Sequence, residues 1–214
     1  MTQANLIAQA RSQLAEKKYL ALKKTITQLK KASPQAAIEF DLMADFQQGR
    51  LSGIEERLDD YLASYEQVPY DNLVAAAKVK CDKEKFAEAI AYCNRAIEQS
   101  DQLPEAPEML YACYQNMGKC EEARKVVDAL IIKIGPLQRY LEWKIITYST
   151  LPLPEVVVEA WEAIQQNFSI DDTVEKAAVF AGVIRSYALL GRIEEAEALI
   201  ASDVSIGADR EHPQ

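Results

Sequence analysis

The stretch KFAEAI, at residues 85–90, returns twice further along the chain. It recurs 34 residues later as KCEEAR at residues 119–124, and a third copy reads RIEEAE at residues 192–197. Self-similarity at a fixed period of this length is typical of proteins built from stacked repeats. The sequence therefore predicts a chain of similar units, one after another.

A second apolar pattern at helical spacing precedes each copy, for example Leu110, Tyr111 and Tyr114 before the second one. Gly118 and Gly191 fall between the two patterns in the units that carry the second and the third copy. A glycine just past the last helical turn adopts a positive φ readily and ends the helix. Each unit is therefore predicted to be a helix, a tight turn and a second helix.

Weaker copies of this pattern account for the rest of the chain. A helix pair cannot bury its apolar stripe alone, so neighbouring pairs must stack. The predicted fold is all-α, with about six antiparallel helix pairs. We expect one repeat domain over residues 1–201, with approximate units at 3–33, 34–69, 70–103, 104–137, 138–170 and 171–201, followed by a polar C-terminal tail at 202–214.

Composition supports an all-helical chain and excludes some classes of ligand. Of the 214 residues, 49% are hydrophobic and 27% are charged, and only 7 are Gly and 8 are Pro, which leaves little turn chemistry for a many-stranded β fold. The formal net charge is −9. Binding to a phosphate backbone needs clustered cations, so this charge argues against nucleic acid as the main ligand.

Targeting signals, metal-ligand spacings and catalytic motifs do not occur in the sequence. The first residues lack the pattern of a signal peptide, and no apolar stretch approaches the ~20 residues that span a bilayer. The four cysteines show no C-x-x-C spacing, and the single histidine, His212, lies in the polar tail. We therefore expect a reduced, cytoplasmic protein without metal or cofactor, and no enzyme.

The repeats resemble the tetratricopeptide repeat (TPR) family, whose units carry small or apolar residues on the first helix, Gly at the turn, and an aromatic residue flanked by alanines on the second helix. The family's frequent early Trp is absent, while Pro34 and Pro136 correspond to its closing Pro. The matching residues are Phe86, Ala89 and Ala96 in one unit, Leu110, Tyr111, Tyr114, Gly118 and Ala123 in the next, and Tyr187, Gly191 and Ala196 in the last.

This resemblance implies a right-handed solenoid, the TPR-like α-α superhelix, in which the first helix of each pair lines a concave groove that binds partner polypeptides. Trp and Arg are the residue types found most often as interface anchors. The candidate groove residues on the first helices are Phe40, Lys78, Met109, Gln115, Asn116, Arg139, Trp143, Ile146 and Arg185.

Charge is distributed unevenly along the chain. Residues 1–70 hold nine cations and nine anions, so residues 71–214 carry the whole net charge of −9. Within residues 11–31 there are seven cations against Glu16 alone. These seven cations form a predicted basic patch, either a solvated helix face or a docking surface for an acidic segment of a partner or of a second copy: Arg11, Lys17, Lys18, Lys23, Lys24, Lys30 and Lys31.

Three function classes stay open at this point, and an enzyme with unfamiliar helical chemistry is the third and least favoured of them. The first is a non-catalytic protein–protein interaction scaffold or chaperone-like adaptor, such as an accessory subunit of a bacterial assembly or secretion system. The second is a pentatricopeptide-like RNA-binding repeat protein, because residues 110–130 also resemble that family. The acidic charge of the C-terminal two thirds opposes RNA binding, and the identity of a protein partner is not encoded in any motif.

Overall fold

The fold consists of α-helices joined by short turns. It is seen in a computed structural model that describes residues 2–100, 102–170 and 173–210, the last eight of these (203–210) by backbone only. These ranges contain no strand, so the predicted all-α class is confirmed. Their helices are α1 (Gln3–Ala15), α2 (Tyr19–Ala32), α3 (Pro34–Gln47), α4 (Ile54–Ser64), α5 (Tyr70–Asp82), α6 (Phe86–Gln99), α7 (Glu105–Asn116), α8 (Cys120–Ile134), α9 (Gln138–Tyr148), α10 (Pro154–Asn167), α11 (Lys176–Leu189) and α12 (Ile193–Arg210).

Local sequence signals place several of the helix ends. The Thr2 hydroxyl oxygen accepts a hydrogen bond from the backbone N–H of Asn5 at 3.3 Å and caps α1. Pro34 occupies the first turn of α3, where its missing N–H costs nothing. Gly118 and Gly191 adopt φ of +67° and +73° directly after α7 and α11, so both act as the turn glycines that the repeat pattern predicts.

By their internal contacts, residues 1–113 and 114–214 form two compact units. In the first unit α1 packs on α2, α2 on α3, and α5 on α6; in the second unit α8 through α12 pack in chain order. Alternate helices also touch, α1 with α3, α3 with α5, and α9 with α11. Within each unit this is the packing of stacked helix pairs, and the single repeat domain over residues 1–201 stays a prediction.

Each unit has its own apolar core. In the first unit one cluster joins α1, α2 and α3 around Leu22 and Leu29, and another joins α3 to α6 around Leu58 and Leu73. In the second unit the core surrounds Trp161, which is 1% exposed and meets the ring of Phe180 edge-on at 5.4 Å between centroids. These clusters contain the apolar residues that recur at helical spacing in the sequence.

The last helix, α12, continues to Arg210, beyond the point at residue 202 where the sequence predicts a polar tail. His212 lies outside the described residues. In the described part of the chain, no helix combines the length and the apolar character needed to cross a membrane.

Candidate functional site

In the first unit, the predicted groove residues have three different environments. Lys78 is exposed on α5, and Met109 is half-buried on α7. The prediction that Phe40 faces a groove is wrong, because Phe40 is only 8% exposed and packs in the core of α1, α2 and α3. As a first helix with neighbours on both sides, α3 buries more of its circumference than the sequence pattern indicates.

In the second unit, three of the predicted residues share one face of α9. Arg139, Trp143 and Ile146 follow one another at i, i+4 and i+7, a spacing that aligns side chains along a helix. Arg139 is exposed, while Trp143 and Ile146 are half-buried. Ile146 also packs against the core of this unit, so its outer surface alone is accessible.

On α11 the exposed face combines small residues with one cation and one leucine, Leu189, which is 63% exposed. Arg185 is exposed, as are Ala178, Ala181 and Ala188 at matching helical positions. Alanine side chains leave the helix backbone close to solvent. The face of α11 is therefore a shallow surface with one positive charge.

These two faces lie side by side because α9 and α11 approach closely at Gly182. A methyl group on Gly182 would lie 3.0 Å from Ser149 Cβ and 3.3 Å from Ile145 Cγ2, so the glycine sets the distance between the helices. Helices packed consecutively through short turns alternate in direction, which makes α9 and α11 parallel. On α9 the exposed face lies about a quarter turn to one side of this contact, and on α11 it lies about a quarter turn to the other side. Because the two helices are parallel, both faces open to the same side of the unit.

We call this combined area the α9–α11 surface, and define it by Arg139, Trp143, Ile146, Ala178, Ala181 and Arg185. It brings together four residues predicted from sequence and two that were not. Ala178 and Ala181 have no distinguishing sequence signal, because an exposed alanine and a buried one look the same in a helical pattern.

The aromatic end of the α9–α11 surface is held by Tyr140, which is fully buried. The Arg139 guanidinium lies 5.0 Å from the centre of the Tyr140 ring and donates a hydrogen bond from Nη2 to the Tyr140 hydroxyl at 3.1 Å. The Trp143 ring also packs against the Tyr140 ring, with 5.6 Å between the two ring centroids. This arrangement fixes Arg139 and Trp143 before any ligand arrives, which lowers the entropy cost of binding.

A buried carboxylate joins α9 to the segment before α11. Glu142 is 3% exposed, and its two oxygens accept hydrogen bonds from Gln138 Nε2 at 3.1 Å and from the Val174 N–H at 3.3 Å. The sequence shows Glu142 only as one acidic residue among many. Its role depends on a contact with a residue 32 positions away.

The remaining predicted groove residues, Gln115 and Asn116, end α7. Gln115 is half-buried and donates a hydrogen bond from Nε2 to the Thr147 hydroxyl at 2.7 Å. Asn116 is exposed. Thr147 lies on α9, so Gln115 is tied to the helix that carries Trp143.

The residues of the basic patch all have exposed side chains. Arg11 lies on α1, Lys17 and Lys18 lie in the turn after it, and the other four lie on α2. Lys18 forms an ion pair with Glu16, which lowers the pKa of that carboxyl by hydrogen bonding. The other six members form no ion pair with any described residue. All seven cations are therefore accessible to a partner, while their role as one basic patch stays a prediction.

The first unit also contains an ion-pair network around two buried charges, Lys80 and Glu55, that the sequence did not predict. Lys80 on α5 is 2% exposed and donates hydrogen bonds to Glu55 and Asp59 of α4, at 2.9 and 2.8 Å. It also pairs with Glu88 of α6 at 2.9 Å. Burial alone would lower the pKa of Lys80, but the hydrogen bonds to the three carboxylates together raise it.

Glu55 receives two further cations in this network. Lys83 and Lys85 both donate to its carboxylate, and together with Lys80 they hold its pKa well below the usual value of 4.5. Three cations are thus paired with three carboxylates, so the network has no unpaired charge that could bind a charged substrate. The network is balanced, so we assign it to stability.

Three cysteines from three helices meet inside the first unit, although their spacing in the sequence gives no hint of it. The Cys81 and Cys113 thiols are hydrogen-bonding neighbours, and Cys93 interacts with both. Burial raises the pKa of Cys93 to about 12 and also raises that of Cys113. Thiols in this state are poor nucleophiles. Among the described residues, no group of His, Cys, Asp or Glu side chains is arranged to hold a metal ion.

Comparison with known proteins identifies the fold through structure only. No protein-family model matches the chain, and no curated protein sequence matches it significantly. A tetratricopeptide repeat protein from Parabacteroides merdae superimposes with a TM-score of 0.60 at 12% identity, covering 95% of this chain and 79% of the other. The chain has a TPR-like fold.

Two further solved structures show the same likeness. The TPR-like repeats of a putative kinesin light chain from Podospora anserina give a TM-score of 0.58 at 14% identity, covering 88% of this chain and 99% of that one. A chain in the structure of Naa15/Naa10 bound to HypK-THB gives a TM-score of 0.56 at 14% identity, covering 95% of this chain and 36% of that one. At these identities the likeness concerns the fold alone, and the predicted TPR-like fold is confirmed.

Proposed function

We propose that this chain is a non-catalytic scaffold that binds a partner polypeptide on the α9–α11 surface. The observation that carries the proposal is the ordered pair Arg139 and Trp143 beside the flat, alanine-lined face of α11. Large aromatic and Arg side chains supply most of the binding energy at protein interfaces. The alanines of α11 leave room for the backbone of a bound segment.

The chemistry of the described residues also favours binding over catalysis. The buried charges around Lys80 are neutralised within the network, and the buried thiols have raised pKa values. Among proteins of similar fold, the Naa15/Naa10 structure is bound to HypK-THB. This precedent supports, by analogy of fold, a protein as the ligand.

Within the scaffold class we propose a cytoplasmic, chaperone-like adaptor, for example an accessory subunit of a bacterial assembly or secretion system. Helical-repeat proteins of this size that serve as chaperones or accessory subunits support this narrower role by analogy of fold. All four cysteines are unpaired thiols, which fits a compartment that keeps thiols reduced.

The proposal is tested by affinity purification from the native host with mass spectrometry of what is retained. The variant Trp143→Ala/Arg185→Glu removes one aromatic side chain and reverses one charge of the α9–α11 surface. We expect it to lose at least about tenfold of the specifically retained polypeptide, since such residues contribute roughly 1–4 kcal/mol at interfaces. Melting followed by circular dichroism should change little.

One control variant accompanies this experiment. Lys125→Glu/Ile132→Ser alters an exposed cation and an exposed apolar residue of α8 in the same unit, and it should retain the partner. If the α9–α11 variant retains the same polypeptide in the same amount, or if nucleic acid is the retained species, the proposal is wrong.

A further inference from the structure

The first unit contains a second open surface, formed along one face of α3. Two clefts of about 770 and 460 Å³ both reach Asp41. The α3 residues that line them recur at helical spacing, so the two clefts share one continuous floor about four turns or roughly 20 Å long. We call it the α3 groove, and its floor consists of Pro34, Ala37, Ile38, Asp41, Ala44, Asp45 and Gln48.

One wall of the α3 groove is the basic side of α2. Lys23 lines the larger cleft and Lys30 lines the smaller one. Lys17, from the turn before α2, borders the larger cleft as well. These three cations form no ion pair with any described residue.

The acidic residues of the floor do not cancel this positive charge, because they already have partners. Arg57 donates hydrogen bonds to Asp41 and to Asp45, each at 2.6 Å. Arg50 adds a pair with Asp45 at 3.6 Å. The acidic residue that is left without a pair among the groove residues is Asp60, at the end of the smaller cleft.

The α3 groove also exposes apolar surface. Leu20, at the start of α2, is 86% exposed and lines the larger cleft, and Ile38 on the floor is 39% exposed. Tyr65, directly after α4, is half-buried and borders the smaller cleft. Because Lys17 and Lys23 line the same cleft as this largely exposed leucine, the surface has both an apolar and a cationic component.

We infer that the α3 groove binds an acidic segment of a partner protein whose carboxylates pair with Lys17, Lys23 and Lys30 and whose apolar side chains cover Leu20 and Ile38. Charge complementarity selects the acidic residues and raises the association rate. The apolar contacts supply burial that carboxylates alone cannot provide. This surface is separate from the α9–α11 surface, and the inference does not depend on it.

A polypeptide fits the α3 groove better than a polyanion does. A nucleic acid backbone or an anionic lipid surface carries negative charge everywhere, so its phosphates would approach the unpaired Asp60 as closely as the lysines. A peptide places its carboxylates only where the lysines are. It can also offer apolar side chains to Leu20.

The test uses the full-length chain as bait for a phage-displayed library of random peptides. Enriched peptides are then synthesised with a fluorescent label and titrated by anisotropy. We expect enrichment of sequences that combine Asp or Glu with Leu, Ile or Phe, and binding that weakens as salt is raised. The variant Lys23→Glu/Lys30→Glu should weaken binding at least about tenfold, and Leu20→Ser several-fold.

Matched controls are available on α8. Lys119→Glu/Lys125→Glu reverses two exposed lysines without ion pairs, and Ile132→Ser changes an apolar residue that is 82% exposed, close to the exposure of Leu20. Both should bind the peptides within about twofold of wild type. Labelled poly(U) RNA and vesicles containing phosphatidylserine are titrated in parallel.

The inference is overturned if the library yields no peptide above the bare support, or if the enriched peptides are not acidic. It is equally overturned if the peptides bind Lys23→Glu/Lys30→Glu as well as wild type, or if RNA or vesicles bind through these lysines more tightly than the peptides. Peptides that lose affinity only with Trp143→Ala/Arg185→Glu would support the proposed function and contradict this inference.

Discussion

At the scale of single residues, Lys80 makes the sharpest prediction about stability. Replacing it by Met in Lys80→Met leaves Glu55 buried with only Lys83 and Lys85 as partners, while Asp59 and Glu88 are exposed enough to regain water. Breaking a buried ion pair costs up to about 5 kcal/mol. Because Glu55 keeps two partners and the other two carboxylates regain water, we expect the free energy of unfolding to fall by about 2 kcal/mol. The measurement is urea unfolding followed by circular dichroism.

The pH dependence of this loss separates the ion pair from simple packing. The pKa of Glu55 is lowered in the folded chain, so its contribution to the free energy of unfolding is present above pH 4.5 and is lost as the pH falls through the folded pKa. The difference between wild type and Lys80→Met should therefore shrink in acid. Lys78→Met, on the exposed face of the same helix, is the control. An equal loss for both variants, or a loss that does not change with pH, would contradict the assignment.

The residues of the α9 face could be predicted from the sequence, whereas the ion pairs of Lys80 could not, and the reason is physical. Periodicity along one helix identifies which side chains share a face, and this is how Arg139, Trp143 and Ile146 were predicted together. It cannot show that Glu55 and Lys80, 25 residues apart, meet in the interior, because that depends on how two helices pack. Phe40 was assigned wrongly for the same reason.

At the scale of helices, the close approach of α9 and α11 depends on Gly182. In Gly182→Val the new side chain would meet Ser149 and Ile145, and overpacking of this kind costs about 1–3 kcal/mol. Ala181→Val places the same side chain on the exposed face of α11 and should change the free energy of unfolding by less than about 0.5 kcal/mol. Thermal melting of both variants makes the comparison.

The result for Gly182 also tests the geometry of the α9–α11 surface. If Gly182→Val is as stable as Ala181→Val, the two helices are further apart than described, and their exposed faces need not form one surface. The sequence could not have supplied this distance. A glycine inside a helix shows only that some backbone approach is close, without naming the helix that approaches.

At the scale of the whole molecule, the repeat period and the turn glycines were sufficient for the fold. KFAEAI and its two copies mark the start of α6, α8 and α12, and Gly118 and Gly191 follow α7 and α11 as expected. The division into two compact units is not visible in the sequence. It depends on how many contacts the helices make with one another, and not on the residue pattern within a single helix. The same applies to the α3 groove, whose floor is continuous only when α2, α3 and α4 are placed together.

On the proposed function, first helices of this TPR-like chain present a surface that holds another polypeptide. Site-specific photo-crosslinking in the native host tests it most directly, with the crosslinker placed at Ala181 on the α9–α11 surface or at Glu159 on the exposed face of α10. The account predicts a discrete crosslinked polypeptide from position 181, absent from position 159 and lost in Trp143→Ala/Arg185→Glu. A crosslink of equal yield from both positions, or none from position 181, would contradict it.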